Sequence, residues 1–439
     1  MFWIELIIVL AIIFIGVRVG GTFLAMAGGI GMFIMTFILH VTPSDPPITV
    51  ILIMIAVICV AATMQACGGL DYLVRIAEKI LRKNPKMITV LAPVVAYIFT
   101  FMCGTGHIVY SLLPVINEIA IETGVRPERP ISASIVSSQQ AITACPISAA
   151  TVGILAFMAE ATNYTKVNIF TLLIVCVPAT LIGTVIAAIA VIKKGKELAD
   201  DPEFQARVEA GLIEDFSKKV KEEKKVSKEA KISVTIFLIA MVGIVLLGAV
   251  SGLVPTLADG SKLPLTTVIE IFMLVAAAMI LLTKLDSNKV LDQPVFRTGM
   301  FAVVLAFGLC WLVNTFIGDQ SSFITDNMSA LTNKYPWIFI VAVFIVGAIT
   351  TSQSSTTMIM IPIGIALGLP ANVIVAGWIA CSSNYFIPAS GQCVAALAFD
   401  SAGTTKIGKF VLNHSYMIPG LVCTVVSVVV ALLIGAVVF

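Results

Sequence analysis

The residues of this chain that could do chemistry are neutral hydroxyls and amides, gathered in four short stretches: 103–107, 137–146, 351–356 and 381–390. None of the four contains Asp, Glu, Lys or Arg. A site of neutral donors can bind an anion and later release it to water, because each hydrogen bond to a charged ligand contributes about 1.5–3 kcal/mol. The candidate binding residues are Gly104, Thr105, Gly106, His107, Ser137, Ser138, Gln139, Gln140, Ser148, Ser354, Ser355, Thr356, Ser382, Ser383, Asn384 and Ser390.

Two other interpretations of these stretches compete with an anion site. Polar residues inside apolar segments can simply hold helices together, which would suit a single serine better than four clusters. The glycines around Thr105 could belong to a phosphate loop, but no Gly-Lys-Ser/Thr sequence follows them. The pattern therefore favours a binding site for a small anion.

Composition places these stretches in a membrane protein. Hydrophobic residues make up 59% of the 439 residues and charged residues 12%, against about 45–50% and about 25% in soluble domains. The nine cysteines stand singly without a Cys-x-x-Cys pair, so we expect packing roles and neither a metal nor a cofactor. A crossing helix needs about 20 apolar residues, and the predicted spans are 2–17, 20–40, 48–67, 167–192, 232–253, 265–283, 295–317 and 410–439.

The four polar stretches interrupt segments of unusual length. Residues 87–123 and 336–369 are each too short for two crossings, and each is broken near its middle, which predicts re-entrant hairpins. Residues 130–160 and 371–400 are each too long for one plain helix, which predicts broken helices. We expect Pro146 and Pro388 to occupy the first turn of the restarted half-helices, where proline is tolerated. Gly104 and Gly106 would permit the reversal of the first hairpin.

Helix breaks inside a membrane can form a binding site. Unwound backbone is tolerated there only inside the protein or beside a water-filled cavity. The N-terminus of a half-helix offers unpaired N–H groups and partial positive charge, which suit a carboxylate. The four breaks therefore predict one site near the middle of the bilayer.

The second half of the chain repeats the sequence pattern of the first half. Residues 85–114 match 336–362 in pattern, and "SSQQAITACPIS" (137–148) matches "CSSNYFIPAS" (381–390). The predicted units are an N-terminal repeat (1–192), a charged linker (193–231) and a C-terminal repeat (232–439). We expect the linker to be a plain tether rather than a lid.

Basic residues give the predicted sidedness. With both termini outside and the linker in the cytoplasm, all but three of the 27 Lys and Arg residues fall inside. The exceptions are Lys166, Lys262 and Lys334. The two hairpins then open to opposite faces, and repeats of like order and opposite orientation are typical of secondary transporters.

Three titratable residues are candidates for coupling or gating. His107, beside the first break, could accept a proton, contact the ligand or pack structurally. Glu118 lies in the returning arm of the first hairpin, and Asp400 ends the second broken helix. Intramembrane carboxylates are usually functional, although both could lie at an interface.

At these motifs the chain resembles the anaerobic C4-dicarboxylate transporters of the DcuA/DcuB family. The segments that carry the resemblance are "GGLDYLVRIAEKILRKNPK" (68–86), "CGTGHIVYSLLP" (103–114), "GVRPERPISASIVSSQQAITACPIS" (124–148) and "FDSAGTTKIGKFVLNHSYMIPG" (399–420). The resemblance implies exchange of fumarate, malate or aspartate for succinate across the bacterial inner membrane during anaerobic fumarate respiration. It also implies a homodimer, an elevator movement of the hairpin-bearing unit, and a sensor kinase as a further partner.

The sequence thus predicts an all-α polytopic membrane protein with two inverted repeats that exchanges small dicarboxylates. The expected partners of the protein are the lipid bilayer and the substrate. Neither a nucleic acid nor a cofactor is expected. A proton- or sodium-coupled carrier of another small carboxylate is the alternative, followed by an anion channel. An intramembrane enzyme is disfavoured, because the chain has no His-Glu-x-x-His motif and no acidic pair at a break.

Overall fold

The computed structural model describes residues 1–19, 21–211, 213, 226–320, 322–323, 334–388, 390–407 and 413–439. Parts of the predicted linker (212 and 214–225), of the spans 20–40 and 410–439 and of the break 381–390 lie outside these residues, as do residues 408–412 of the last family segment. The described residues are helical and contain no β-strand. This confirms the all-α fold class.

The first half contains α1 (Phe2–Val19), α2 (Gly21–Phe33), α3 (Ile48–Ala66), α4 (Gly69–Lys83), α5 (Ile88–Cys103), α6 (Val109–Glu122), α7 (Glu128–Ala144), α8 (Ala149–Glu160) and α9 (Ile169–Ala190). The short helix α10 (Pro202–Glu209) follows in the linker. The second half contains α11 (Lys228–Ala249), α12 (Leu265–Leu274), α13 (Ala276–Thr283), α14 (Asn288–Leu291), α15 (Pro294–Leu305), α16 (Trp311–Asp319), α17 (Trp337–Thr350), α18 (Gln353–Ala366), α19 (Ala371–Ile379), α20 (Gly391–Phe399) and α21 (Met417–Val438).

Eight helical segments of the described chain are long and apolar enough to cross a membrane. They are Ile48–Ala66, Pro85–Cys103, Glu128–Glu160, Ile169–Ala190, Lys228–Ala249, Thr266–Thr283, Pro294–Asp319 and Met417–Val438. Shorter apolar helices cover Phe2–Gly16, Thr22–Ile38 and Trp337–Thr350. These segments make the chain a multi-pass membrane protein.

Both hairpins turn through the same backbone path. In the first, α5 ends at Cys103, Gly104 is left-handed (φ 70°, ψ 7°) and Thr105 is extended (φ −144°, ψ 136°). In the second, α17 ends at Thr350, Thr351 is left-handed (φ 52°, ψ 25°) and Ser352 is extended (φ −146°, ψ 119°). The returning helices α6 and α18 pack against α5 and α17, respectively. We call residues 103–110 tip 1 and residues 350–355 tip 2.

Both long segments are broken, but the prolines do not begin the restarted helices. The helix α7 ends at Ala144 and α8 starts at Ala149, whereas α19 runs into a 3₁₀ turn (Ala380–Ser382) and α20 starts at Gly391. Pro146 and Pro388 stand two residues before the capping serines, Ser148 and Ser390. The first-turn expectation for the prolines is therefore wrong: a serine hydroxyl that accepts a backbone N–H starts each half-helix instead.

The helices associate in two groups. Hairpins and broken helices pack with α9 and α21, since α5 lies on α7, α9 on α21 and α8 on α18. The helices α1–α3 pack with α11–α16, and α2 crosses a π turn (Ala306–Cys310) so closely that a Cβ at Gly28 would lie 2.2 Å from the carbonyl of Gly308. We call the first group the hairpin body and the second the scaffold. The groups meet where α3 contacts α8, where α11 contacts α9 and where α15 and α16 contact α18.

Candidate functional site

A cavity of about 490 Å³ lies where the two tips, the two restarted helices and the scaffold meet. The hairpin body lines it with Cys103, Gly104, Thr105, Gly106, His107, Tyr110, Ile142, Ile147, Ser148, Ala149, Thr350, Thr351, Ser352, Gln353, Ser354, Ser355, Asn384, Ser390, Gly391 and Gln392. The scaffold lines it with Leu24, Met54, Val57, Ile58, Ala61, Val295, Thr298, Gly299, Phe301 and Ala302. The polar side of the cavity belongs almost entirely to the hairpin body, and the scaffold side is apolar apart from Thr298.

Nine of the sixteen predicted binding residues line this cavity. They are Gly104, Thr105, Gly106, His107, Ser148, Ser354, Ser355, Asn384 and Ser390. The other seven lie behind the wall and are buried: Ser137, Ser138, Gln139, Gln140, Thr356, Ser382 and Ser383. The structure thus brings all four predicted stretches together but divides their residues into an inner wall and a supporting layer.

Tip 1 joins the cavity through Thr105, Gly106 and His107. The Thr105 hydroxyl accepts a hydrogen bond from the His107 backbone N–H at 3.3 Å and starts the 3₁₀ turn before α6. A Cβ placed on Gly106 would lie 2.3 Å from Nε2 of Gln392, so the absent side chain makes room for an amide from the other repeat. The His107 ring lies parallel to the Tyr110 ring, with centroids 5.8 Å apart and an interplanar angle of 14°.

Tip 2 is built from hydroxyls and one amide. The Ser352 hydroxyl accepts a hydrogen bond from the Ser355 backbone N–H at 3.2 Å and caps α18. Thr356 turns away from the cavity and donates to the Ser352 carbonyl at 2.8 Å. Gln353 extends from the tip, and its Nε2 donates to the backbone carbonyl of Gln139 at 3.2 Å. This bond fastens tip 2 to α7 of the first repeat.

Each restarted helix begins at the cavity with a serine cap. Ser148 accepts from the backbone N–H of Thr151 at 3.1 Å and donates to the Ile142 carbonyl at 2.7 Å. Ser390 accepts from the backbone N–H of Cys393 at 3.4 Å. The first N–H groups of a helix have no partner within it, so α8, α18 and α20 present free donors and partial positive charge at the cavity.

The supporting layer holds the wall by hydrogen bonds to backbone. Ser137 donates to the Pro93 carbonyl at 2.6 Å, and Ser383 donates to the Phe344 carbonyl at 2.6 Å. Ser138 pairs with Thr100 at 2.8 Å and donates to the Gly106 carbonyl at 3.3 Å.

Gln139 is the centre of the supporting layer. Its backbone carbonyl accepts from Gln353 and also from the Ser382 hydroxyl at 3.3 Å. Its Nε2 donates to Ser390 at 3.5 Å. Neighbouring Gln140 is fully buried, and neither amide atom finds a hydrogen-bond partner among the described residues.

Tyr110 is a wall residue that is absent from the predicted binding residues. It follows Gly106 by about one helical turn on the first turn of α6, so an aromatic residue just beyond a polar break was the available signal. Thr350, Gly391 and Gln392 also line the wall. The scaffold residues carried no signal, because apolar residues in a span read as lipid-facing or core.

Neither predicted coupling carboxylate lines the cavity. Glu118 forms an ion pair with Arg82 at 2.9 Å, within a cluster that includes Glu78. Asp400 is buried at the end of α20, where its Oδ2 accepts a hydrogen bond from Thr404 at 2.8 Å. Of the three candidates for coupling or gating, His107 alone lines the cavity.

A buried cluster of charged residues lies at the start of α7, on the side that the basic residues predict to be cytoplasmic. Arg126 pairs with Glu128 at 2.8 Å and with Asp201, and Lys194 pairs with Glu128 at 3.0 Å. Ser415, from the second repeat, donates to Glu128 at 2.8 Å. Lys194 also donates to the Ser415 carbonyl at 2.8 Å, so the described start of the linker packs against both repeats.

Asp201 is the linker carboxylate of this cluster. Burial acts to raise its pKa, but hydrogen bonds from Arg126 and from the Glu203 backbone N–H hold the pKa of the Asp201 carboxyl below its ordinary value. The carboxylate is thereby kept ionised beside Arg126 at neutral pH.

Comparison with known proteins agrees with this architecture. The family model described as "Anaerobic c4-dicarboxylate membrane transporter" (DcuA_DcuB) matches residues 1–439. The chain is 38% identical to the anaerobic C4-dicarboxylate transporter DcuB of Escherichia coli O6:H1, over 98% of this chain and 97% of that one. It is also 38% identical to the C4-dicarboxylate transporter DcuA of Wolinella succinogenes, over 98% of each chain, and to DcuA of Escherichia coli K12, over 99% of each.

A solved structure shares the overall fold. The YdaH transporter of Alcanivorax borkumensis superposes with a TM-score of 0.55 at 16% identity, over 93% of this chain and 89% of that chain. At that identity the match concerns the fold alone. The match along the full sequence decides the classification: the chain belongs to the DcuA/DcuB family of anaerobic C4-dicarboxylate membrane transporters, and it is a transporter rather than an enzyme.

Proposed function

We propose that this protein exchanges C4-dicarboxylates, taking up fumarate, malate or aspartate against succinate, across the bacterial inner membrane by alternating access. The observation that carries the proposal is the neutral cavity at the four breaks, where three helix N-termini and several hydroxyls meet without a fixed charge. Such a site attracts an anion without trapping it, because no buried counter-charge has to be left unpaired on release.

The cavity divides into two half-sites, one for each carboxylate of the ligand. Half-site 1 combines tip 1 with the start of α20, since Gly106 lies against Gln392 and α6 packs on α20. Half-site 2 combines tip 2 with the start of α8, since α18 packs on α8. Each half-site thus joins the hairpin of one repeat to the restarted helix of the other.

Alternating access would move the hairpin body against the scaffold. The polar wall belongs to one group of helices and the apolar wall to the other, so the ligand can travel with its hydrogen bonds while the apolar wall slides past. The inverted repeat that this requires is supported by the like dihedral angles of the two tips. The serine caps add support, with φ −72° and ψ 148° at Ser148 and φ −63° and ψ 145° at Ser390. The proposal retains the predicted sidedness, with both termini periplasmic.

Counterflow in proteoliposomes tests the exchange. Vesicles loaded with unlabelled succinate receive labelled fumarate outside, with empty vesicles as the reference. We expect uptake that saturates and requires internal succinate, since each inward step needs a loaded carrier to return. Equal uptake in empty vesicles would contradict obligate exchange, and uptake driven there by a proton or sodium gradient would instead identify a coupled carrier.

A matched pair of variants tests the site. Ser354 is half-buried in the cavity wall at tip 2, whereas Thr235 is exposed on α11 away from it. We expect Ser354→Ala to raise the KM for fumarate several-fold through the loss of one donor. Thr235→Ala should transport as the wild type does. Identical kinetics of both variants would place the ligand elsewhere.

A further inference from the structure

The two proposed half-sites differ in one respect that bears on ligand binding. Half-site 2 presents hydroxyls and amides of Ser, Thr and Gln residues. Half-site 1 adds a pair of stacked rings, His107 and Tyr110. A C4-dicarboxylate that meets both half-sites therefore finds a large amphipathic side chain at one end only.

The Tyr110 hydroxyl lies at the start of α20. A Cβ on Gly391 would be 2.9 Å from the Tyr110 hydroxyl oxygen, and no other atom outside the chain neighbours would lie within 4 Å. The hydroxyl is thus held beside the first turn of α20, next to the Ser390 cap. This is where the free N–H groups of the helix point.

The hydroxyl is available to a ligand. Tyr110 lines the cavity with a half-buried side chain, and its hydroxyl makes no hydrogen bond with any residue in the described part of the chain. By contrast, the hydroxyls of Tyr97, Tyr164, Tyr385 and Tyr416 are bonded to Thr180, Leu369, Thr424 and Cys393, respectively. Buried tyrosine hydroxyls usually have a hydrogen-bond partner. For Tyr110, a ligand in the cavity can be that partner.

We infer that Tyr110 is a substrate-binding residue of half-site 1, whose hydroxyl donates to the carboxylate seated at the N-terminus of α20. The inference rests on the proposed exchange function. The parallel His107 ring supports the Tyr110 ring, and Gly391 is glycine because a side chain there would displace the hydroxyl. The ligand end held by half-site 1 thus receives a phenolic donor that half-site 2 does not have.

The experiment is a double-mutant cycle on fumarate–succinate exchange. Tyr110→Phe keeps the stacked ring but removes the donor, so we expect the KM for fumarate to rise about tenfold with little change in Vmax, as for the loss of one bond to a charged group. Gly391→Ala should raise KM in the wild-type background. It should have no further effect in the Tyr110→Phe background, because the atom that it displaces is already gone.

Tyr72→Phe is the matched control, since Tyr72 lies on α4 and does not line the cavity. Fumarate-dependent thermal stabilisation of the purified protein provides a second readout, and it should weaken in Tyr110→Phe but not in Tyr72→Phe. Unchanged KM and unchanged stabilisation in Tyr110→Phe, or additive effects in the double variant, would overturn the inference. A wild type that stabilises with fumarate but fails to exchange would instead contradict the proposed function and leave the binding role measurable.

Discussion

The two hairpin tips follow one backbone path with different residues. Tip 1 places Gly104, Thr105 and Gly106 where tip 2 places Thr351, Ser352 and Gln353, yet the first two dihedral pairs agree within about 20°. The conformation is therefore a requirement of the hairpin, whereas the side chains are free to differ. What differs is how each tip is joined to the other repeat.

A glutamine side chain lies between the repeats at each tip, and the two glutamines come from opposite repeats. Gln353 extends outward from tip 2 to the carbonyl of Gln139 on α7. At tip 1, Gly106 occupies the matching position and leaves space for Gln392, which comes from α20. A glutamine amide thus lies between the repeats at both tips, as a hydrogen bond at tip 2 and as a close contact at tip 1.

We expect the largest effect on transport from a substitution that fills the space at tip 1. Gly106→Val would place a Cβ 2.3 Å from Nε2 of Gln392 and 3.4 Å from the Ser138 hydroxyl, so the Gln392 amide must move away from tip 1. We expect exchange to fall more than tenfold in Vmax/KM, measured by counterflow. Because the displaced atom ends a flexible side chain, the protein should remain folded.

Gly29→Val is the control for that substitution. A Cβ on Gly29 meets no atom within 4 Å, and the residue lies in α2. It should leave exchange near the wild-type rate. Normal exchange by Gly106→Val would mean that Gln392 does not contribute to the site.

The left-handed residue of each tip offers a second test, in which we expect a loss of stability at tip 1 and no comparable loss at tip 2. Gly104 adopts φ 70° at no steric cost, whereas Thr351 is a β-branched residue at φ 52°. A non-glycine residue in this region costs about 1–3 kcal/mol. A Cβ on Gly104 would also lie 3.1 Å from Ile147. We expect Gly104→Ala to lower the thermal unfolding temperature in detergent.

Thr351→Gly should not lower it comparably, because relief of strain offsets the added freedom of the unfolded chain. The two variants measured side by side form their own control. A clear loss of stability in Thr351→Gly would show that the threonine side chain stabilises tip 2 by more than its backbone strain costs.

The sequence predicted the breaks better than the contacts. Glycine, proline and clustered hydroxyls inside apolar runs mark where a membrane helix must stop, and helix ends fell at all four predicted stretches. Which hydroxyl then faces the cavity depends on helix rotation, and Ser137 and Ser383 proved to face backbone carbonyls instead. Neighbouring polar residues on one helix cannot all point to one side.

For a related reason, the sequence could not predict contacts between residues that are far apart in the chain. The sequence made Glu118 a candidate for coupling but could not show that it pairs with Arg82, 36 positions earlier. Nothing in the sequence indicated that the Tyr110 hydroxyl lies beside Gly391 of the other repeat. Local patterns predict helices and their ends, but they carry no information on which distant helix packs there.

The capping serines provide the finest test of the equivalence of the two repeats, and we expect the smallest effects from them. Ser148 makes three bonds, to the Thr151 backbone N–H, to the Ile142 carbonyl and to the Thr151 hydroxyl, at 3.1, 2.7 and 2.9 Å. Ser390 caps α20 with one longer bond to the Cys393 backbone N–H, at 3.4 Å, and receives Gln139 at 3.5 Å. Loss of an N-cap costs about 1 kcal/mol.

Ser148→Ala should therefore cost more thermal stability than Ser390→Ala, whose two contacts are weak. For transport we expect the reverse order. The Ser390 hydroxyl makes weaker hydrogen bonds within the protein and lies beside Tyr110 at half-site 1. Its removal should therefore raise the KM for fumarate more than the removal of the Ser148 hydroxyl does. Unfolding temperatures and counterflow kinetics of the two variants, compared with each other, decide the point. Equal shifts in both properties would mean that the two caps are structural alone and that the half-sites do not differ at their helix starts.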